Sequence, residues 1–146
     1  MTPKVETIAH QFLEALPHAK ALSMTLVEIS EGGRVVLSMP YDARLVGDPA
    51  SGVLHGGAVY ALLDTASGLA SMLHAGSAGS TATLGMRVDY MRPATPGQRI
   101  TAEAVCYNMT RTVAFVRATA TDDDTTRPVA TTNATFTNEP RRGARS

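Results

Sequence analysis

Residues 52–74 run GVLHGGAVYALLDTASGLASMLH, and the apolar character continues around nearly every side of a helix drawn from about Gly57 to His74. A helix without a polar face is enclosed by protein rather than laid on a surface. The stretch from Val53 to Gly76 is also near the ~20 residues that a bilayer requires. His55, Asp64 and His74 interrupt it, however, and a central aspartate is costly in lipid. Gly56, Gly57, Ser67, Gly68 and Ser71 dilute the hydropathy further. The pattern predicts a buried helix in a water-soluble fold.

Outward from this helix the period changes. On the C-terminal side, Leu84, Met86, Val88 and Tyr90 alternate with Thr83, Gly85, Arg87 and Asp89, as the two faces of a strand do. Pro93 and Pro96-Gly97 end that strand, and further strands are predicted over residues 100–107, 112–121 and 129–137. On the N-terminal side, two β-type runs, 24–29 and 35–39, flank Gly32-Gly33 and read as a hairpin. Residues 41–52 carry Gly47, Asp48, Pro49, Ser51 and Gly52 and read as a loop, as do residues 76–80. Val5, Ile8, Phe12 and Leu16 recur at helical spacing, so residues 1–20 are expected to be a short helical segment stopping near Pro17. The tail 140–146 is expected to be frayed. Short connections favour antiparallel neighbours, since parallel crossovers need a dozen residues or more. One α+β domain over 1–146 follows, an antiparallel β-sheet wrapped around a long central helix.

Composition narrows the function. Lys plus Arg and Asp plus Glu number 13 each, so no net charge draws the chain to nucleic acid or an anionic membrane. The single cysteine, Cys106, excludes an internal disulfide framework and offers no metal cluster, which suits a reducing cytoplasm. The first residues lead into a mixed polar segment, so no secretory leader is expected. Neither metal nor cofactor is expected.

Two features of the helix carry chemistry. Gly56 and Gly57 open it, and glycines there let a ligand approach backbone N–H groups that bear partial positive charge and can hold a developing oxyanion. Asp64 stands within the apolar run with Tyr60, Ala61, Ser67 and Gly68 as turn neighbours and no cation. Burial without a partner disfavours the charged form, so Asp64 needs hydrogen bonds or a solvated pocket. Each feature has a plain structural reading, a tight helix start and a structural hydrogen-bonder, but here both occur on one helix. They are eight residues apart, about 12 Å along the axis. A donor ~3 Å from a carbonyl oxygen and a carboxylate reaching its carbon are hard to combine at that separation. Two antiparallel helix copies about a two-fold axis would place Gly56 of one beside Asp64 of the other, which predicts a homodimer with composite sites.

His55-Gly56-Gly57 with Asp64 nine residues after the histidine, then Tyr90-Met91-Arg92-Pro93 and Arg111-Thr112-Val113-Ala114-Phe115, resemble the PaaI-like branch of the hotdog-fold thioesterases. The resemblance spans roughly residues 35–136. It implies an acyl-CoA thioesterase acting on aryl or medium-chain acyl groups, and a dimer of dimers. Asp64 then matches the carboxylate that attacks the thioester or activates water, and the Gly56 amide the donor that polarises its carbonyl. His55 matches the residue that orders the turn, and Thr83 a hydroxyl that positions the water or Asp64. The CoA arm is implied along residues 90–95 and 108–113, with Gly57, Tyr90, Asn108 and Thr112 as contacts. Arg92 and Arg111 are expected at phosphates, whose oxygens suit guanidinium groups. Relatives often carry an asparagine before the histidine; here Asp48 stands nearby and is expected to act as an acceptor. A non-catalytic acyl-CoA binder, and a hotdog hydratase or dehydratase using His55 and Asp64, are the alternatives.

Overall fold

The alanines of the three central strands let the long helix lie close to the sheet. The structure, a computed structural model, describes residues 3–30, 32–74 and 80–139. The chain order is α1 (Pro3–Ala15), α2 (Pro17–Ala21), β1 (Thr25–Ile29), β2 (Val35–Met39), β3 (Val46–Asp48), β4 (Val53–Leu54), α3 (Gly56–His74), β5 (Thr83–Tyr90), β6 (Ile100–Met109), β7 (Val113–Thr121) and β8 (Ala130–Thr137). Six strands form one antiparallel sheet in the order β1-β2-β6-β7-β8-β5. Helix α3 packs against β2, β5, β6, β7 and β8, so the sheet curls around it as the hotdog arrangement requires. The tail 140–146, and the loop expected over 76–80 except Ser80, lie outside the described residues.

On β6, β7 and β8 every second residue is buried, and most of those are alanine: Ala102, Ala104, Ala114, Ala118, Ala120, Ala130 and Ala134. Small strand residues leave room for the bulk of Leu62, Leu63 and Leu69 on α3, all wholly buried. Large facing small at native density is how such layers fit. No helix among the described residues is long and apolar enough to cross a membrane.

Three local expectations change. Pro17 ends α1 but also begins α2, where its missing N–H costs nothing at a helix start. The loop 41–52 contains a short 3₁₀ turn, Ala43–Leu45, and β3, which pairs with β4. Helix α3 is not covered on every side. Gly57, Tyr60, Ala61, Asp64 and Thr65 form a stripe, at three- and four-residue spacing, that is exposed or half-buried.

The connection after β5 is fastened to the β7–β8 turn by a buried ion pair. Arg92 donates from both terminal nitrogens to the Asp122 carboxylate, each at 2.7 Å, and its remaining donors reach the carbonyls of Arg127, Asp124 and Pro93. Side-chain exposure is 17% for Arg92 and 0% for Asp122. Asp122 also accepts from the Thr95 amide and hydroxyl and from the Asp124 amide. The Arg92 guanidinium, and then those donors, hold the Asp122 carboxyl well below the usual carboxylate range. Neighbouring Asp124, bonded by the Thr126 hydroxyl and by Arg127, is lowered to about 2. Both are more acidic folded than unfolded. Their stabilisation is therefore complete above the unfolded value of ~3.9 and disappears as pH falls through the folded value. Thermal melts should show Tm falling from about pH 4 to about pH 2. Asp122→Asn, which strands Arg92 without its charge partner, should melt about 10 °C lower near neutral pH and show a shallower fall in acid. An unchanged Tm would mean that the pair carries no weight.

Candidate active site

The start of α3 is pinned by contacts from three directions. Behind it, His55 donates its amide to the Leu45 carbonyl at 2.8 Å, tying β4 to the 3₁₀ turn. A Cβ on Gly47 would stand 2.8 Å from the His55 Cα, so this backbone approach requires glycine. Within the turn, the His55 Nδ1 accepts the Gly57 amide at 2.8 Å, which places the neutral ring's proton on Nε2. From the far strand end, the Tyr90 hydroxyl donates to the Gly56 carbonyl at 2.7 Å.

These contacts separate the two glycine donors. The Gly57 N–H is consumed by His55. The Gly56 N–H has no acceptor among the described residues and sits in the first helical turn, where backbone amides lack intrahelical partners. Gly56 is half-buried, so the donor is desolvated in part yet open to a ligand.

Asp64 is half-buried on the uncovered stripe and accepts a hydrogen bond from the Thr83 hydroxyl at 2.7 Å. The need for hydrogen bonds or solvent is thus met by both, without a cation. Strict alternation put Thr83 on the strand face opposite Tyr90. A register shift between Thr83 and Gly85 breaks the alternation and turns Thr83 toward the helix along with Tyr90. No sequence signal marks that bulge beyond Gly85 itself.

The remaining expected contacts divide. Arg92 is corrected: all its donors are spent inside the fold, so it does not offer a phosphate contact. Asp48 binds its own turn, accepting from the Ala50 amide and the Ser51 hydroxyl, and these hold its carboxyl below the usual range, Ser51 foremost. Asn108, Arg111 and Thr112 are exposed. The Arg111 and Thr112 carbonyls are tied to Asn138, and among the described residues the Arg111 guanidinium has no carboxylate partner. Of the weaker arginines, Arg87 pairs with Asp89, and Arg117 stacks over Tyr107 at 4.0 Å on the sheet's outer face. The two stretches expected along the CoA arm are not together in one protomer. Tyr90 pairs with Ala130 at one end of β8, while Val113 pairs with Thr137 at the other.

An apolar cleft of about 420 Å³ opens beside Gly56, lined by Leu54, Val59, Tyr90, Met91, Pro93 and Val129 among others. Sequence reading missed Leu54, Val59 and Val129. Each is an ordinary apolar residue whose place beside Gly56 arises only when β4, α3 and the residue before β8 converge.

Comparisons with known proteins match the fold. A crystal structure of a Pseudomonas aeruginosa protein matches with a TM-score of 0.82 at 35% identity, over 92% of this chain and 99% of that one. A mutant of the phenylacetic acid degradation protein PaaI from Thermus thermophilus matches with a TM-score of 0.74 at 31% identity, over 85% and 100% of the two chains. A Halobacterium salinarum protein provisionally named an esterase is 41% identical over 71 residues. That match covers 47% of this chain and 47% of the relative, so the chain matches about half the length of this curated relative. The Thioesterase superfamily profile covers residues 51–129, from the turn before His55 to the threshold of β8. With that span exceeding half the chain and the fold shared over nearly its whole length, the chain belongs to the thioesterase superfamily, in the PaaI-like branch of the hotdog fold.

Proposed function

We propose that the chain hydrolyses an aryl- or medium-chain acyl-CoA to the free acid and CoA, in a homodimer with two composite sites that pairs further into a dimer of dimers. The observation that carries this reading is Asp64, oriented by Thr83 on the one stripe of α3 that its own sheet leaves open. A carboxylate held by a hydroxyl and facing outward is available to a thioester or to a water. The Gly56 N–H supplies the donor for the oxygen on which charge develops.

The fold supports the second copy. Among the described residues β5 has one sheet neighbour, β8. Its Thr83 end adjoins Asp64 and its Tyr90 end adjoins Gly56. Antiparallel pairing of β5 with the β5 of a second copy sets Thr83 of one against Tyr90 of the other. That pairing carries Asp64 of one copy toward Gly56 of its mate.

The chemistry closes without a strong acid. Asp64 adds to the thioester carbon itself, or takes a proton from a water whose oxygen adds there, and the oxyanion is held by the Gly56 N–H. Collapse breaks the C–S bond and releases CoA as a thiolate, a good leaving group since thiol pKa values are ~8.5. In the direct route, water then cleaves the acyl–Asp64 anhydride. The apolar cleft beside Gly56 suits the pantetheine or acyl chain, and Arg111, Asn108 and Thr112 remain as contacts for the CoA arm.

Thiol release from an acyl-CoA panel tests the assignment. Asp64→Ala should lose at least ~10²-fold in turnover, and normal turnover in that variant rejects it. Saturable binding of acyl-CoA with no hydrolysis by the wild type would favour the non-catalytic binder. A second experiment addresses the composite site. Asp64→Ala and Gly56→Pro, the latter deleting one N–H and also pressing a Cβ against the Tyr90 ring, should each be inactive alone. Co-expressed, they should recover about a quarter of wild-type activity, because half of random dimers hold one intact site. Failure to recover any activity, with hybrids shown to form, places both groups in one protomer.

A further inference from the structure

Tyr90 was expected to touch the CoA arm, but the structure gives its hydroxyl another task. It donates to the Gly56 carbonyl at 2.7 Å, and its ring lies against Gly56 so closely that a Cβ there would meet Cε1 and Cζ at 3.2 Å. The same peptide is held at its other end, where the Gly57 N–H donates to His55 Nδ1 at 2.8 Å. One peptide plane, 56–57, therefore has its carbonyl and its amide both fastened by side chains from outside the helix.

The Gly56 N–H lies on the adjoining 55–56 peptide, which shares the Gly56 Cα with this plane and whose His55 carbonyl accepts the Ala58 amide at 3.0 Å, so fixing the 56–57 plane limits rotation about that Cα. Two consecutive glycines have the widest backbone freedom of any pair, and the first turn of a helix is where it frays. A donor that must stay aimed at a developing oxyanion gains nothing from a fraying turn. We propose that Tyr90 is a positioning residue: with His55 it clamps the Gly56–Gly57 peptide and so aims the Gly56 N–H into the site. The anchor is itself rigidly mounted. Tyr90 pairs with Ala130 in the sheet, Met91 donates its amide to Val129 at 2.8 Å, and Arg92 is seated in the Asp122 clamp. Partial burial, and secondarily the neighbouring Tyr60, push the Tyr90 hydroxyl's pKa up, so it remains a donor through the neutral range.

The inference rests on Gly56 being the oxyanion donor, and its test separates the two. Tyr90→Phe keeps the ring and removes one hydrogen bond. It should lower kcat about tenfold while KM changes less than about twofold and Tm is nearly unchanged. A substrate contact would instead raise KM with kcat preserved, and that outcome overturns the proposal, as does unchanged kcat. Amide hydrogen exchange at Gly57 provides a readout independent of the reaction. It should accelerate about tenfold in Tyr90→Phe, and an unchanged rate overturns the clamp whatever the assay shows. If Asp64→Asn turns over normally, the reaction assigned to the site falls, and the exchange rate alone still decides for or against the clamp.

Discussion

Helix α3 has nineteen residues and almost no polar face to give to water, so it requires cover from several elements at once. The sheet supplies it by curling, with five strands touching the helix and alanines lining the face that meets it. That requirement constrains everything else. A sheet bent far enough to enclose the helix has its two edges, β1 and β5, on either side of the opening. The stripe left uncovered is where Asp64 stands, so this carboxylate sits at the boundary between an apolar core and whatever approaches from outside.

Two aspartates show how differently the fold surrounds the same side chain. Asp122 accepts two bonds from a guanidinium and three more from Thr95 and Asp124, so its charge is neutralised and its lone pairs are filled. Such a carboxylate is a poor nucleophile and a poor base. Asp64 has a single hydroxyl partner and solvent. A cation at that position would have neutralised the group as surely as it tightened the fold. Thr83 orients the group without neutralising it, because a neutral donor binds more weakly than a charged one.

Most of the fold was legible from residues 52–74 and the alternating strands, because burial imposes a period that a single sequence records. The places of Gly56, Gly57 and Asp64 along one helix were legible for the same reason. Contacts between distant segments were not legible. Arg92 was read as a phosphate ligand because an arginine before a proline at a strand end carries no sign of Asp122, thirty residues away. Thr83 was placed on the wrong face because a bulge adds one residue without changing composition. Tyr90 was read as a contact along the CoA arm; its ring lines the apolar cleft, and the bond from its hydroxyl to Gly56 was not foreseen. In each case the partner is fixed by tertiary packing, and local periodicity has no access to it.

Which edge a second copy would use can be argued from the edges themselves. β1 is five residues long and is broken by a register shift between Leu26 and Glu28, and its Glu28 is paired with Arg34. Short length and a bulge are ordinary means by which proteins keep an edge from pairing. β5 is eight residues long, its one shift lies at its first residues, and its two charges, Arg87 and Asp89, are paired with each other. Six consecutive partners with β8, from Gly85 to Tyr90, keep it straight along the rest of its length. An edge left that regular exposes a row of unpaired N–H and C=O groups, which in an isolated chain would invite indiscriminate association. Pairing it with its own copy satisfies those groups and covers the open stripe of α3 beside it. The same union that removes the edge therefore completes the proposed site.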